Sequence, residues 1–475
     1  MITIVGAGFA GVEAAWAAAN RGQKVRLYEM RPLQMTPAHT TEWFAELVCS
    51  NSFKSKLPTS PAGQLKKEMM ALGSLVISTA MEHEVPGGEA LAVDREAFGK
   101  AITKKVEDHP NITVVREEFT PTLAEEILQI RDILILASGP LTSPDLAKWL
   151  AGKSGREHLY FYDAVSPTVE ASSLNRGIIF AQSRYDKGEG DDYLNCPFEK
   201  DHYFNFVDAL IAAERAPVHA FEAGGKRDSQ ISDLGSRISE LSDDPDSSTV
   251  NPESQFLEKL KYFAGCTPIE VIAEKGRDSL RFGNFKPVGL TDPRFDRRPY
   301  AALQLRPENK EKTLYSLVAC QTRLKWGEQK RVFQMVPGLE NAEFIRYGVI
   351  HRNTFIEAPT LLTPQLEMKD TPGLFISGQL TGVEGYVESA AMGIYSGIVA
   401  AARADGKEIP TPPRACAYGS LISHLQDPTP REFAPMNINW GLLPDPEPVP
   451  RDKGVKRAMK LAAANAAFDE WVQKV

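Results

Sequence analysis

Two cysteines stand in settings that suit chemistry. Cys49 lies in the Ser- and Asn-rich stretch from Cys49 to Ser55, with Lys54 inside it and Lys56 just beyond. Cys266 precedes Pro268 and Glu270 as if at a helix start, where the dipole lowers a thiol pKa. A free cysteine is often buried and inert. Polar and cationic neighbours instead favour the thiolate, which is the attacking form. Cys196, beside Pro197 and Phe198, reads as packing, and Cys320 and Cys416 as core. The five cysteines are scattered, and no pair has metal-ligand or CxxC spacing. Neither a zinc site nor a dithiol reductase is expected, and free thiols point to a reducing cytoplasm.

Reactive thiols need a frame and a partner, and the first stretch of the chain supplies both. Ile2 to Val5 reads as a buried parallel strand. Gly6, Gly8 and Gly11 follow at GxGxxG spacing, then an alanine-rich helix to Asn20 and a second strand ending at Glu29. Gly6 permits the tight turn, Gly8 lets backbone approach a pyrophosphate, and Gly11 allows close helix packing. The Glu29 carboxylate suits a ribose 2′-hydroxyl. Far downstream, Gly373 to Gly378 reads as a strand running into glycine, and Gly382, Gly385 and Gly393 surround a helix of small residues. Ile133 to Gly139 is a third strand ending in glycine. A chain returning to its first βαβ unit in this way favours FAD as the dinucleotide.

These elements predict an α/β fold: a doubly wound, Rossmann-like FAD domain of the glutathione-reductase type with an inserted α/β substrate or RNA domain. The FAD domain is expected over 1–140 and 357–475, the insertion over 141–356. Within it, 224–252 is rich in Ser, Asp and Gly and reads as a solvated, mobile segment. Trp43 to Val48 is expected to be a short helix or strand. Pro61 to Gly73 is expected as a helix with Lys66 and Lys67 on its polar side, and a helix should start at Asp94.

At 475 residues and 43% hydrophobic content the chain can bury a sizeable core. No apolar run approaches a membrane span, and a strand beginning at residue 2 leaves no room for a signal peptide. The net charge of −8 argues against bulk attraction to nucleic acid but allows a local basic face.

The stretches VCSNSFKS (48–55), VPGGEALAVDR (85–95), YLNCPF (193–198), FAGCTPIEVIAEKGRDSLRFGNFKPVGL (263–290), QTRLKWGEQKRVFQMVPGLENAEFIRYGVIHRNTFI (321–356), GQLTGVEGYVESAAMG (378–393) and FAPMNINWGLLP (433–444) run the length of the chain. In them the sequence resembles the bacterial folate- and FAD-dependent tRNA uracil-5-methyltransferases. The polar stretch around Gly224 to Pro252 looks longer than in that family. The resemblance implies methylation of C5 of uridine 54 in the tRNA T-loop. The carbon would come from 5,10-methylenetetrahydrofolate and the hydride from FAD reduced by NADPH or NADH. It makes Cys49 and Cys266 the functional pair and leaves open which attacks uracil C6 and which serves the flavin side; we read Cys266 as the C6 nucleophile and Cys49 as the flavin-side partner. No membrane association is expected, and no obligate protein partner is evident in the sequence.

That reaction is consistent with the residues, since C5 of uracil is a poor nucleophile until a thiolate adds at C6. Lys275, Arg277, Arg281 and Lys286 follow Cys266, then Arg294, Arg297 and Arg298, interleaved with Phe282, Phe285 and Phe295; Lys325, Trp326, Lys330 and Arg331 come later. Such a mixture suits phosphates and a splayed base, though charge runs are commonly plain solvated faces. The His351 imidazole could stack on a pterin over the flavin or be a hydrogen-bonded core histidine. Rival readings are a related FAD and folate enzyme acting on ribosomal RNA or a wobble uridine, a flavin-binding RNA-interaction protein without turnover, and a plain NADH oxidase.

Overall fold

The computed structural model describes residues 1–36, 38–154, 159–164, 166–186, 192–216, 267–348, 350–429 and 433–475. Its central element is a five-stranded parallel sheet, in the order Leu374–Ile376, Ile133–Leu136, Ile2–Val5, Val25–Tyr28, Ile112–Val115. Ile2 is level with both Val25 and Ile133, and Leu374 with Leu134. Ile2–Val5 and Ile133–Leu136 are buried along their whole length, which is why they read as unbroken apolar runs.

The helix Phe9–Ala19 packs on this sheet and against the long helix Tyr386–Ala404 from the far end of the chain. Small residues make the contact possible. A Cβ on Gly393 would lie 2.2 Å from Ala10 O, and one on Gly397 would lie 2.4 Å from Ala14 O. The two backbones therefore touch, and no larger residue fits at either position.

Buried carboxylates knit the other helices to this pair. Glu13, wholly buried, accepts the N–H groups of Leu75 and Val76, each at 3.0 Å, at the start of the helix Leu75–Glu82. Glu68 does the same for Ala417 and Tyr418, at 2.9 and 3.0 Å, fastening the C-terminal segment to the first. Each satisfies amides that a helix start leaves without partners. Asp94 caps the helix Arg95–Glu107 by accepting from Ala97 N–H at 2.9 Å, as the sequence leads one to expect.

Six described strands between Thr168 and Arg346 build a second, antiparallel sheet in the order Phe180–Ala181, Leu194–Phe198, Ala301–Pro307, Leu314–Leu317, Thr168–Glu170, Phe344–Arg346. Its core of Phe198, Tyr203, Phe206, Phe285 and Phe333 is distinct from the apolar core of the parallel sheet, which takes residues from 2 to 150 and from 355 to 471. The strands Leu159–Ala164 and Ile350–Phe355 pair with each other as a ribbon between the two parts.

Three local expectations are corrected. Trp43 to Val48 is neither helix nor strand. Its amides bond elsewhere, Ala45 N–H to Ala7 O at 2.9 Å and Phe44 N–H to the Thr103 hydroxyl at 2.8 Å. Lys66 is buried at 2% exposure, because the helix Pro61–Ala71 has helices packed on several sides. Its ammonium donates to Ser55 O at 2.8 Å, and burial lowers its pKa to about 8. Phe285 is core, stacked on Phe198 at 5.8 Å, and is not available to a base. The segment 224–252 lies outside the described residues.

Candidate active site

A cavity of about 150 Å³ opens at the C-terminal ends of the parallel strands, lined by Gly6, Gly8, Glu29, Gly139, Gly378 and Tyr386 among others. The glycines test whether a dinucleotide fits. Gly6 has φ +94°, which a side chain rarely adopts, and a Cβ there would meet Ala137 O at 2.7 Å. A Cβ on Gly11 would lie 1.7 Å from Gly6 O, so Gly11 serves helix packing. A Cβ on Gly8 would meet no protein atom within 4 Å and would project into open space. The protein itself does not require glycine at Gly8; a ligand passing close to the backbone does. The residues therefore fit FAD.

Glu29 lines this cavity, but its carboxylate is already engaged. It accepts Ala7 N–H at 2.9 Å and three donors of Arg31, whose Nε lies at 3.0 Å. Burial opposes its ionisation, yet the Arg31 guanidinium outweighs this and holds the carboxyl below its usual range. A ribose hydroxyl would share these oxygens with Arg31. Gly378 lines the cavity, whereas Gly382 faces Phe433, where a Cβ would fall 2.3 Å from the ring. Gly385 lines the neighbouring cavity, and a Cβ there would collide with the Lys54–Glu388 ion pair.

That second cavity, of about 390 Å³, shares Val48, Pro140, Gln379 and Tyr386 with the first. Cys49 lies on its wall, next to the shared Val48 and in contact with the shared Tyr386. The Cys49 sulfur is 2.9 Å from the Tyr386 hydroxyl, whose oxygen also accepts Cys49 N–H at 2.8 Å. The cations expected beside the thiol are not the ones found. Lys54 is ion-paired with Glu388 at 2.8 Å, and Lys56 is paired with Glu84. Arg95 and Arg346 replace them, the first bonded to Leu47 O and the second to Val48 O at 3.3 Å. Both guanidinium groups interact electrostatically with Cys49. Tyr386 was legible as part of the motif Gly385-Tyr386-Val387-Glu388. Arg95 and Arg346 likewise fall in the stretches 85–95 and 321–356, but nothing local marks them as neighbours of Cys49, because they arrive from distant segments.

Cys266 lies outside the described residues. The chain resumes at Thr267, and the helix expected there starts at Ile269, whose N–H donates to Gln321 O at 2.7 Å. Gln321 lines the Cys49 cavity. His351 is in the ribbon strand Ile350–Phe355, level with Asp163; the structure describes its backbone only. Cys196, Cys320 and Cys416 are buried, and burial pushes all three thiols up.

The basic residues divide. Arg297 and Arg298 join Lys200 and Arg294 around a surface cavity of about 270 Å³. Arg281 reaches the rim of this cavity, its guanidinium 4.3 Å over Tyr300 and 5.1 Å over the exposed Phe282. Arg277 is ion-paired with Asp208, and Lys275 and Lys286 are exposed. Phe295 has Arg294 at 5.1 Å and Arg297 at 5.3 Å from its ring. Among the described residues no group of three His, Cys, Asp or Glu could hold a metal ion, and no helix is long and apolar enough to cross a membrane.

A glycine turn open toward a cleft, at the head of a sheet completed from the far end of the chain, defines a two-segment FAD-binding protein. Residues 1–250 and 238–408 match the family described as glucose inhibited division protein A. The solved structure of Aquifex aeolicus GidA has the same fold, with a TM-score of 0.63 over 99% of this chain and 73% of its own at 16% identity. A protein of Desulforamulus reducens named methylenetetrahydrofolate--tRNA-(uracil-5-)-methyltransferase TrmFO is 48% identical, covering 100% of this chain and 98% of its own. Its namesake in Symbiobacterium thermophilum is 49% identical over 98% of this chain and 95% of its own. At that identity over full length, the chain belongs to the TrmFO family.

Proposed function

We propose that the protein methylates C5 of uridine 54 in the T-loop of tRNA, drawing the carbon from 5,10-methylenetetrahydrofolate. Relatives carrying the name of that reaction along their whole length support it. FAD held at the Gly6–Gly11 turn and reduced by NADPH or NADH would supply the hydride that turns methylene into methyl. The observation that carries the reading is the position of Cys49, on the wall of the larger cavity and in contact with Tyr386, which also lines the dinucleotide cavity. The larger cavity accepts folate and the uracil ring; Cys49 acts on its flavin side. Cys266 adds to uracil C6, raising electron density at C5.

The separation of the two cores supports a discontinuous FAD domain, 1–140 with 357–475, and an RNA and folate domain over 141–356. Lys275, Arg277, Arg281, Lys286, Arg297 and Arg298 hold tRNA phosphates. The enzyme works in the cytoplasm, where tRNA and reduced folate meet.

The test is to incubate the purified yellow protein with a T-loop minihelix, methylenetetrahydrofolate and NADPH, then map modified nucleosides by mass spectrometry. Folate-dependent 5-methyluridine at the T-loop position is the expected result. Absence of the mark there, or its appearance only in ribosomal RNA or at a wobble uridine, overturns the assignment.

A further inference from the structure

Tyr386 opens the helix Tyr386–Ala404, directly after Gly385 with its positive φ of 113°. Its ring is held by Phe9 at 4.6 Å and Phe53 at 6.1 Å, and it lines both cavities. Three groups converge on its hydroxyl. The Cys49 N–H donates to it at 2.8 Å, the Ser50 N–H at 3.4 Å, and the Cys49 sulfur lies at 2.9 Å.

A phenol oxygen has one proton to give and little acceptor capacity to spare. Both backbone amides can only donate, so they occupy its acceptor side, and the proton is left to point at sulfur. The opposite arrangement, with S–H donating, would bring three donors onto one oxygen. A donor aimed at sulfur favours the charged form of the thiol. Arg95 and Arg346, which interact electrostatically with Cys49, and the N-terminus of a 19-residue helix act in the same direction. The phenol stays protonated over the same pH range, because burial first and Cys49 second push its pKa well above the ordinary value.

We infer that Tyr386 is a positioning residue that holds Cys49 as a thiolate on the wall of the larger cavity, its hydroxyl donating a hydrogen bond to the sulfur while its oxygen fixes the Cys49 and Ser50 amides. The inference rests on reading Cys49 as the reactive thiol of the proposed reaction, but it concerns the thiol before any substrate arrives. The thiol proton is lost to solvent, and no oxidant or co-substrate is required.

The test uses the FAD-loaded protein without tRNA or folate. Iodoacetamide labelling of the Cys49 peptide is followed by mass spectrometry across a pH range bracketing the ordinary thiol pKa of about 8.5. The wild-type rate is expected to rise with an inflection below that value. In Tyr386→Phe the inflection should move up by about one unit, slowing labelling roughly tenfold at neutral pH, with flavin absorbance retained. An unmoved inflection in that variant, or an ordinary one in the wild type, overturns the inference. Should Tyr386→Phe lose its flavin, a fluorotyrosine at 386 keeps the ring and strengthens the donor. It should lower the inflection, and no change again overturns the inference. Neither readout involves methylation. An enzyme that methylates tRNA with an unmoved inflection refutes the Tyr386 role alone, and a failed methylation assay with a shifted inflection refutes the reaction alone.

Discussion

Arg95, partly buried, and Glu308, buried, form an ion pair across the two halves of the molecule. Arg95 begins a helix packed on the parallel sheet, and Glu308 follows the antiparallel strand Ala301–Pro307. Burial opposes ionisation of Glu308, but Arg95, with Arg346 and Arg306 behind it, pulls the carboxyl down to about 2. The pair braces the loop that carries Cys49, since Arg95 also holds Leu47 O.

Glu308→Gln should therefore destabilise the protein by about 3 kcal/mol at neutral pH, by leaving partly buried guanidinium charge uncompensated. Because the folded pKa lies below the unfolded value of about 4.3, the stabilisation is complete above that value. It is lost as pH falls through about 2. Chemical denaturation of both proteins at fixed FAD concentration should give curves that converge toward acid and separate at neutral pH. Parallel curves would show that the pair contributes nothing.

The glycines of the first turn should fail in different ways. Gly8→Val introduces a side chain only into open space, so the variant is expected to fold with native circular dichroism but purify colourless. Gly11→Ala sets a methyl 1.7 Å from Gly6 O and should lower the melting temperature whether or not FAD is added. Stoichiometric flavin in Gly8→Val would remove that residue from the cofactor site.

Charge removal on the second half should affect RNA alone. Lys286→Ala with Arg298→Ala changes two exposed side chains and no core contact. Affinity for tRNA should fall, and the slope of log affinity against log salt should flatten by roughly 1.5. FAD content should stay constant. Binding and slope equal to wild type would place the RNA elsewhere.

The two thiols should separate on a T-loop RNA carrying 5-fluorouridine, which traps a C6 thiolate because fluorine at C5 does not leave as a proton. Cys266→Ala is expected to bind this RNA without forming a complex that survives a denaturing gel. Cys49→Ala should still form one while losing methyl transfer. The reverse pattern would exchange the two roles, and an adduct indifferent to both would end the case for thiol catalysis.

What the sequence determined by itself is what local rules control. Glycine spacing, an alanine-rich helix and apolar strands are short-range patterns, so the dinucleotide turn, the parallel strands and the Asp94 cap could be read directly. Cys49 stood out because its neighbours are polar. Only the tertiary structure decided which neighbours matter in space. Lys54, adjacent in sequence, is taken up by Glu388, while Arg95 and Arg346 reach the thiol loop from segments 46 and 297 residues further along the chain than Cys49. Tyr386 reaches the sulfur from 337 residues away. Lys66 looked polar by its type and Phe285 looked available by its charged neighbours, but packing from distant elements buried both. Charge and hydrogen bonding act over a few ångströms whatever the separation along the chain, so a site assembled from several segments becomes visible only when the chain has folded.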